Sequence, residues 1–394
     1  MISKHQKIAE NIVRRLQEAG YKALFAGGWV RDFLLGHPSQ DIDIATSAHP
    51  EEVVKLFKRS ITVGAQFGVV RVLQDNHEFE VATFRSDEQY VDGRRPSQVR
   101  LLGSPEEDAA RRDFTINGMF YDPSSGEIYD YVSGKNDLKR KIIRTIGDPF
   151  VRFQEDRLRI IRAIRFKNTF GYDIDSKTWE ALCQEAVHVV EAVSPERIWQ
   201  ELRKMLEKKI LEPSLRDLHK CGLLARLFPI SQSGLEERFQ VVARYRGGSL
   251  AAAIALLIKQ LRNTLVDRYR LSNREAHLFD TFSMFESLPS SDEEYVRLYA
   301  RADIETALTA LACEQANPEV FLAKHTKRQK ELAFWTEQVR SRSFLIAGSD
   351  LASAGLKPGK QMGERINEIF LFSLHNRIKD KKKLLEECVY GKKD

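Results

Sequence analysis

Residues 26–46 read AGGWVRDFLLGHPSQDIDIAT, and the fold is decided by this stretch. A Gly27-Gly28 pair and Arg31 precede two aspartates, Asp41 and Asp43, that are one residue apart. The apolar run 21–26 predicts a short strand, residues 30–35 a helix, and residues 41–45 a second strand. Alternate strand residues face the same way, so both carboxylates share a face. Two carboxylates beside a glycine turn that a phosphate can approach closely suit Mg²⁺ and a nucleoside triphosphate, with Arg31 to neutralise charge. Asp-x-Asp alone is common and Gly-Gly alone is an ordinary turn; their spacing together carries the reading.

Outward from this stretch, residues 4–19 carry Ile8, Ile12, Val13 and Leu16 at helical spacing and end at Gly20. Residues 50–57 read as a helix, and 68–73 and 79–84 as strands joined by a turn over 74–78. The order is that of a small mixed α/β domain. Glu80, on the later strand, is either a third carboxylate or a solvent-facing residue. Residues 86–105, SDEQYVDGRRPSQVRLLGSP, are polar and weakly periodic, which predicts a long loop that is either functional or disordered. A hairpin-like segment runs through 129–132, and residues 137–147 close the domain. Beyond Pro149 strand signals largely vanish. Helical patterns follow over 153–166, 176–192, 195–209, 214–226, 235–245, 249–264, 293–340 and 362–390, with a break over 347–363.

The chain has 394 residues, enough for two or more domains, with 42% hydrophobic and 30% charged residues. No apolar run nears the roughly 20 residues that span a bilayer. The polar first ten residues lack a secretory core, so the expected location is cytoplasmic. The net charge of +6 is compatible with a polyanionic partner. The four cysteines (Cys183, Cys221, Cys313, Cys388) are scattered, which argues against disulfides and structural zinc.

A second motif is RRDFTIN, residues 111–117. Arg112 suits bidentate phosphate binding, and Asp113 and Asn117 offer hydrogen bonds to ribose hydroxyls. A third is EDRLRIIRAIR, residues 155–165. On one helix, Asp156, Arg159 and Arg162 fall near one face, with Arg165 drifting round it. An Asp accepts from an exocyclic amine and an Arg donates to a ring acceptor, so Asp156 and Arg159 together would select cytosine and adenine. Arg162 and Arg165 could reach phosphates. Read alone, these stretches are also a charged loop and a helix laced with ion pairs. Residues 348–363, GSDLASAGLKPGKQMG, form a glycine-rich connection in which Lys357 or Lys360 could hold an RNA phosphate, or simply a loop between helices. Lys379, Lys381, Lys382 and Lys383 read first as a solvated helix face.

These motifs, in this order and spacing, resemble the class II tRNA nucleotidyltransferases (CCA-adding enzymes) and the related bacterial poly(A) polymerases. The resemblance covers essentially the first 230 residues and extends weakly to 347–363. It implies an α+β protein: a small mixed α/β nucleotidyltransferase head over 1–148, then an elongated all-helical neck (149–215), body (216–340) and tail (341–394) that binds tRNA. It implies that Asp41 and Asp43 are catalytic and hold Mg²⁺. Gly28, Arg31 and Arg112 fall on nucleotide-contacting positions, as do Arg162 and Arg165. Asp156 and Arg159 fall on the pair that reads CTP or ATP, and Asp113 and Asn117 on ribose contacts. The implied partners are the tRNA 3′ end, CTP and ATP, with no membrane and no obligate protein partner. CC-adding members lack much of the loop before RRDFTIN, which is present here, so the reading favours complete C, C, A addition. A-adding members also keep the loop. The glycine, two basic residues and Phe expected of the better-known bacterial poly(A) polymerases are absent after Val63, where the chain reads Gly64-Ala65-Gln66-Phe67. No HD-type metal pattern follows, so no phosphohydrolase activity is expected.

Overall fold

The computed structural model describes residues 3–37, 39–63, 68–90, 96–101, 104–258, 263–287 and 289–390. Residues 64–67, where the poly(A) polymerase signature was sought, lie outside them. The chain divides into two compact units, Met1–Phe228 and Pro229–Asp394.

The first unit opens with α1 (Lys4–Glu18), capped by the Ser3 hydroxyl accepting from the Gln6 N–H. One face buries Ile8, Ala9, Ile12, Val13 and Leu16; each large side chain so buried contributes about 1.5–3 kcal/mol. There follow β1 (Ala23–Ala26), α2 (Gly28–Leu34), β2 (Asp43–Thr46), α3 (Pro50–Leu56), β3 (Ser60–Thr62), β4 (Val69–Gln74) and β5 (His77–Thr83). Asp75 and Asn76 between β4 and β5 both have positive φ, the requirement of a two-residue hairpin turn that keeps the strand twist. Next come β6 (Arg85–Tyr90), β7 (Pro96–Leu101), α4 (Pro105–Ala110), a 3₁₀ turn (Thr115–Asn117), β8 (Met119–Tyr121) and β9 (Ile128–Asp130). The main sheet has the order β3-β4-β5-β2-β1-β8-β9. Only β2 and β5 pair parallel in it.

The polar stretch 86–105 is not a plain loop: β6 and β7 pair antiparallel, Arg85 with Leu101 and Tyr90 with Pro96. Its sequence lacks apolar alternation, the signal by which strands are read.

The unit continues with α5 (Gly134–Arg140), β10 (Ile142–Ile143), α6 (Pro149–Glu155), α7 (Leu158–Phe170), β11 (Asp173–Ile174), α8 (Ser176–Glu185), α9 (Val189–Ala192), α10 (Pro195–Glu207), α11 (Leu211–Lys220) and α12 (Leu224–Leu227). The single helix expected over 153–166 is two helices. Asp156 ends α6 with extended backbone, φ −148° and ψ 99°. Pro213 lies in the first turn of α11, where its missing N–H has no helical partner to lose.

The second unit is helical: α13 (Leu235–Arg244), α14 (Leu250–Ile258), α15 (Asn263–Tyr269), α16 (Asn273–Glu286), α17 (Asp292–Tyr299), α18 (Ile304–Ala312), α19 (Pro318–Ser341), α20 (Gly348–Ser353), α21 (Lys360–His375) and α22 (Lys381–Leu384). The break read over 347–363 thus contains the short helix α20. Every residue of α14 is buried. Trp335, Tyr299, Phe370 and Leu374 gather in one core cluster, where the Trp335 Nε1–H donates to Ser373 Oγ at 2.9 Å. No helix among the described residues is long and apolar enough to cross a membrane.

Candidate active site

Strand register assembles the site. β1 and β2 pair antiparallel with Ala26 opposite Asp43, so the turn that follows Ala26 lies beside that carboxylate. Asp41 lies two residues before the start of β2; Asp41 and Asp43 are exposed while Ile42 between them is buried. The alternation expected from sequence therefore holds, although the strand proper starts two residues later than read. Burial, then the neighbouring Asp41, push the Asp43 carboxyl up to about 6; Arg112 opposes this and Glu80 adds to it. Parallel pairing of Ile44 with Val81 sets Glu80, one residue back, beside Asp43 on the same face. Glu80 itself is over half exposed and 3.8 Å from Arg71. Among the described residues no group of three or more His, Cys, Asp or Glu side chains forms a metal cage.

Gly27 has φ +70°, and a Cβ there would stand 2.6 Å from Arg112 Nη1. The positive φ favours glycine, and a Cβ would also displace the guanidinium that crosses it. Arg112 also lies over the Phe120 ring, 5.0 Å from its centroid. It is fixed by Asp108, whose Oδ2 accepts from Arg112 Nε and Nη2 at 3.1 and 3.0 Å, while Oδ1 accepts from Arg111 Nε at 2.8 Å. Burial would raise the Asp108 carboxyl; the two guanidiniums, Arg112 foremost, outweigh it and hold it below the usual range. Asp108 escaped the motif reading. Its spacing to Arg111 and Arg112, i to i+3 and i+4, is the available signal.

Other motif residues form a buried polar chain. Arg31 lies over Phe170 and donates from Nη1 to Asn117 Oδ1 at 2.6 Å. Asn117 Nδ2 donates to Asp113 Oδ1 at 3.0 Å, and that oxygen also accepts from the Phe114 N–H. Asp113 Oδ2 takes Arg162 Nε and Nη2 at 2.9 and 2.6 Å. Arg162 and Arg165 of α7 both reach Glu201 on α10, at 3.8 and 2.6 Å. Burial alone would raise Asp113; Arg162, with the hydrogen bonds, brings it down to about 2. The structure thus brings Arg31, Asp113, Asn117, Arg162 and Arg165 together, but turned toward one another. Glu201, which closes the chain, carries no motif signal at its distance in sequence.

The Asp156 and Arg159 side chains are not paired with each other, although the Arg159 N–H donates to the Asp156 carbonyl at 3.0 Å. Arg159 donates to the Arg152 and Arg111 carbonyls at 2.9 and 3.1 Å and to Glu155 at 2.8 Å. Arg152 likewise donates to the Arg112 carbonyl at 2.9 Å. Cations on these carbonyls complement the C-terminus of α4 and fasten the RRDFTIN segment to α6 and α7. Asp156 instead faces Arg197 of α10, with Oδ2 accepting from Nη2 at 2.9 Å.

In the second unit, Lys357 is exposed, and the 91% exposed Lys360 side chain is 3.8 Å from Glu364. Lys381 pairs with Asp350 at 2.8 Å and Lys383 with Glu387 at 3.9 Å. Lys379 lies over the Trp335 ring.

A mixed sheet that presents paired carboxylates beside a glycine turn, with an arginine laid across it, defines a nucleotidyltransferase head. The family model described as "Poly A polymerase head domain" matches residues 23–144, and "Probable RNA and SrmB- binding site of polymerase A" matches 171–234. The chain is 32% identical to the CCA-adding enzyme of Bacillus pumilus (strain SAFR-032) over 388 residues, 95% of this chain and 94% of that one. It is 33% identical to the CCA-adding enzyme of Bacillus cytotoxicus (strain DSM 22905 / CIP 110041 / 391-98 / NVH 391-98) over 398 residues, covering 98% and 99%. Among solved structures it is similar to the Bacillus stearothermophilus CCA-adding enzyme in complex with CTP, with TM-score 0.79, 28% identity, and 97% and 95% of the two chains covered. The chain belongs to the CCA-adding enzymes, the tRNA nucleotidyltransferases.

Proposed function

We propose that this chain adds C, C and then A to the 3′ end of tRNA, from CTP and ATP, without a nucleic-acid template and with release of pyrophosphate. The reading is carried by Asp41 and Asp43, exposed on one face beside the Gly27-Gly28 turn. Their hard oxygens fit Mg²⁺, which needs only one or two carboxylates when waters and substrate phosphates complete its shell. The Asp43 carboxyl is raised first by burial and then by the neighbouring Asp41, so a cation bound between the two would relieve both. Bound there, the cation supplies a lowered pKa for the attacking hydroxyl and neutralises charge on the leaving pyrophosphate.

Asp41 and Asp43 hold the cation. Arg112, kept across Gly27 by Asp108, supplies fixed positive charge at the same corner. Gly28 leaves room for a phosphate beside the turn. Asp156 accepts from the exocyclic amine of the base and Arg159 donates to its ring nitrogen, turning from its carbonyl partners to do so. Arg31, Asp113, Asn117, Arg162 and Arg165 position the head against the α7 helix, a role their mutual pairing supports better than direct phosphate or ribose contact. Residues 1–148 are the catalytic head, 149–215 the neck, 216–340 the body and 341–394 the tail that takes tRNA. The cytoplasm is the location we propose, in keeping with the polar first ten residues, which lack a secretory core.

The test supplies tRNA ending before CCA, after the first C or after CC, with labelled CTP and ATP singly and together. Two C residues and then one A are expected. Only A, and only on the CC end, or long A tails on unrelated RNA, would overturn the reading.

A further inference from the structure

We infer that Arg197 is a specificity-determining positioning residue: it holds the Asp156 carboxylate aimed at the incoming base, so that cytosine and adenine are accepted and uracil and guanine refused. The inference rests on the base-reading role proposed for Asp156. Asp156 is not carried on a helix; it sits in the break between α6 and α7 with extended backbone. Its side chain must therefore be fixed by contacts. Arg197 Nη1 and Nη2 address Oδ1 and Oδ2 at 3.3 and 2.9 Å, and the Leu158 N–H donates to Oδ1 at 3.1 Å. A bidentate guanidinium sets both the plane and the charge of a carboxylate. Both side chains keep partial exposure, 19% for Asp156 and 24% for Arg197, so a ligand can reach the pair.

Arg197 comes from α10, the helix whose Glu201, one turn further on, holds Arg162 and Arg165. One face of α10 thus fixes the base-facing carboxylate and the arginines of α7 together. The consequence for selection is a sign argument. Cytosine and adenine offer an exocyclic N–H donor to a fixed carboxylate, which has further lone pairs to accept it. Uracil and guanine present a carbonyl oxygen there, and two acceptors held face to face repel. A carboxylate free to swing away escapes that repulsion, and discrimination falls with it.

The experiment compares wild type, Arg197→Met, Arg197→Lys, Asp156→Ala and the double variant Asp156→Ala/Arg197→Met. It measures kcat and KM for CTP, ATP, UTP and GTP, and inhibition by pyrophosphate, which has no base. Arg197→Met should raise KM for CTP and ATP and lower the CTP-over-UTP ratio of kcat/KM, each on the order of ten- to a hundredfold. Arg197→Lys should recover part of both. Pyrophosphate inhibition should stay at the wild-type value, and Arg197→Met should add nothing to Asp156→Ala. Wild-type discrimination in Arg197→Met, alongside relaxed discrimination in Asp156→Ala, overturns the Arg197 role alone. Equal loss of pyrophosphate inhibition shows a general structural role and overturns it too. Unchanged discrimination in Asp156→Ala removes the base-reading role and this inference with it.

Discussion

The corner that carries Asp41 and Asp43 and the buried chain from Arg31 to Arg165 use the same residue types in the same unit, yet are built in opposite ways. At the corner two carboxylates stand exposed on one face, and the proton on Asp43 is held to about 6. In the chain every carboxylate meets a guanidinium or an amide, and Asp113 is driven down to about 2. Like charges left together want an outside cation; opposite charges already matched want none. Motif membership does not separate these two conditions, and pairing does. On the function proposed above, that difference gives the chemistry to the corner and the alignment of the head with α7 to the chain.

The sharpest break of this comparison is Asp41→Ala. It should cut nucleotide incorporation by at least about a thousandfold, the several kcal/mol a bound cation supplies, while the thermal midpoint is kept or raised, because Asp41 no longer opposes the charge on Asp43. A variant with wild-type turnover would put the chemistry elsewhere. Asp113→Ala should do the converse. Among the described residues it leaves the Arg162 guanidinium with only Glu201 at 3.8 Å and takes the acceptor from the Asn117 amide, at a stability cost of about 1–3 kcal/mol measurable by denaturant unfolding. The sign follows from the lowered carboxyl. The stabilisation from Asp113 is complete above its unfolded value of 3.8 and is lost as pH falls through about 2, so the gap between variant and wild type should close there.

Gly27→Ala sits between the two regions. Its positive φ and the 2.6 Å approach to Arg112 Nη1 predict a loss of about 1–3 kcal/mol, together with a raised KM for either nucleotide. Lys360→Ala marks the other end of the scale. An exposed lysine should change stability by no more than about 0.5 kcal/mol, so any loss of activity there would report on RNA binding.

The comparison also explains what could be read beforehand. The glycine turn and the alternation of Asp41 and Asp43 are local patterns, and both stand in the fold. So does the amphipathic stripe of α1. The break at Asp156 was illegible because Glu155, Asp156 and Arg157 hold no glycine or proline. The extended backbone there accompanies a contact with Arg197, far along the chain. Glu201 was missed for the same reason: its partners are set by how α10 packs on α7, not by spacing. The β6–β7 ribbon was missed because its polar residues carry no strand period. Asp108 alone was within reach, through its helical spacing to the two arginines.

The central claim, that an electrostatically frustrated pair is kept for catalysis, is tested most directly by Asp43→Asn, assayed for activity and for thermal midpoint across pH. A carboxyl raised to about 6 disfavours the folded state fully above that pH, and not at all below its unfolded value of 3.8. The variant should therefore lose nucleotide incorporation, yet melt at a higher temperature than wild type at pH 7.5, with the difference vanishing near pH 3.8. A variant that melts at a lower temperature at pH 7.5, or one that keeps its activity, would contradict the account.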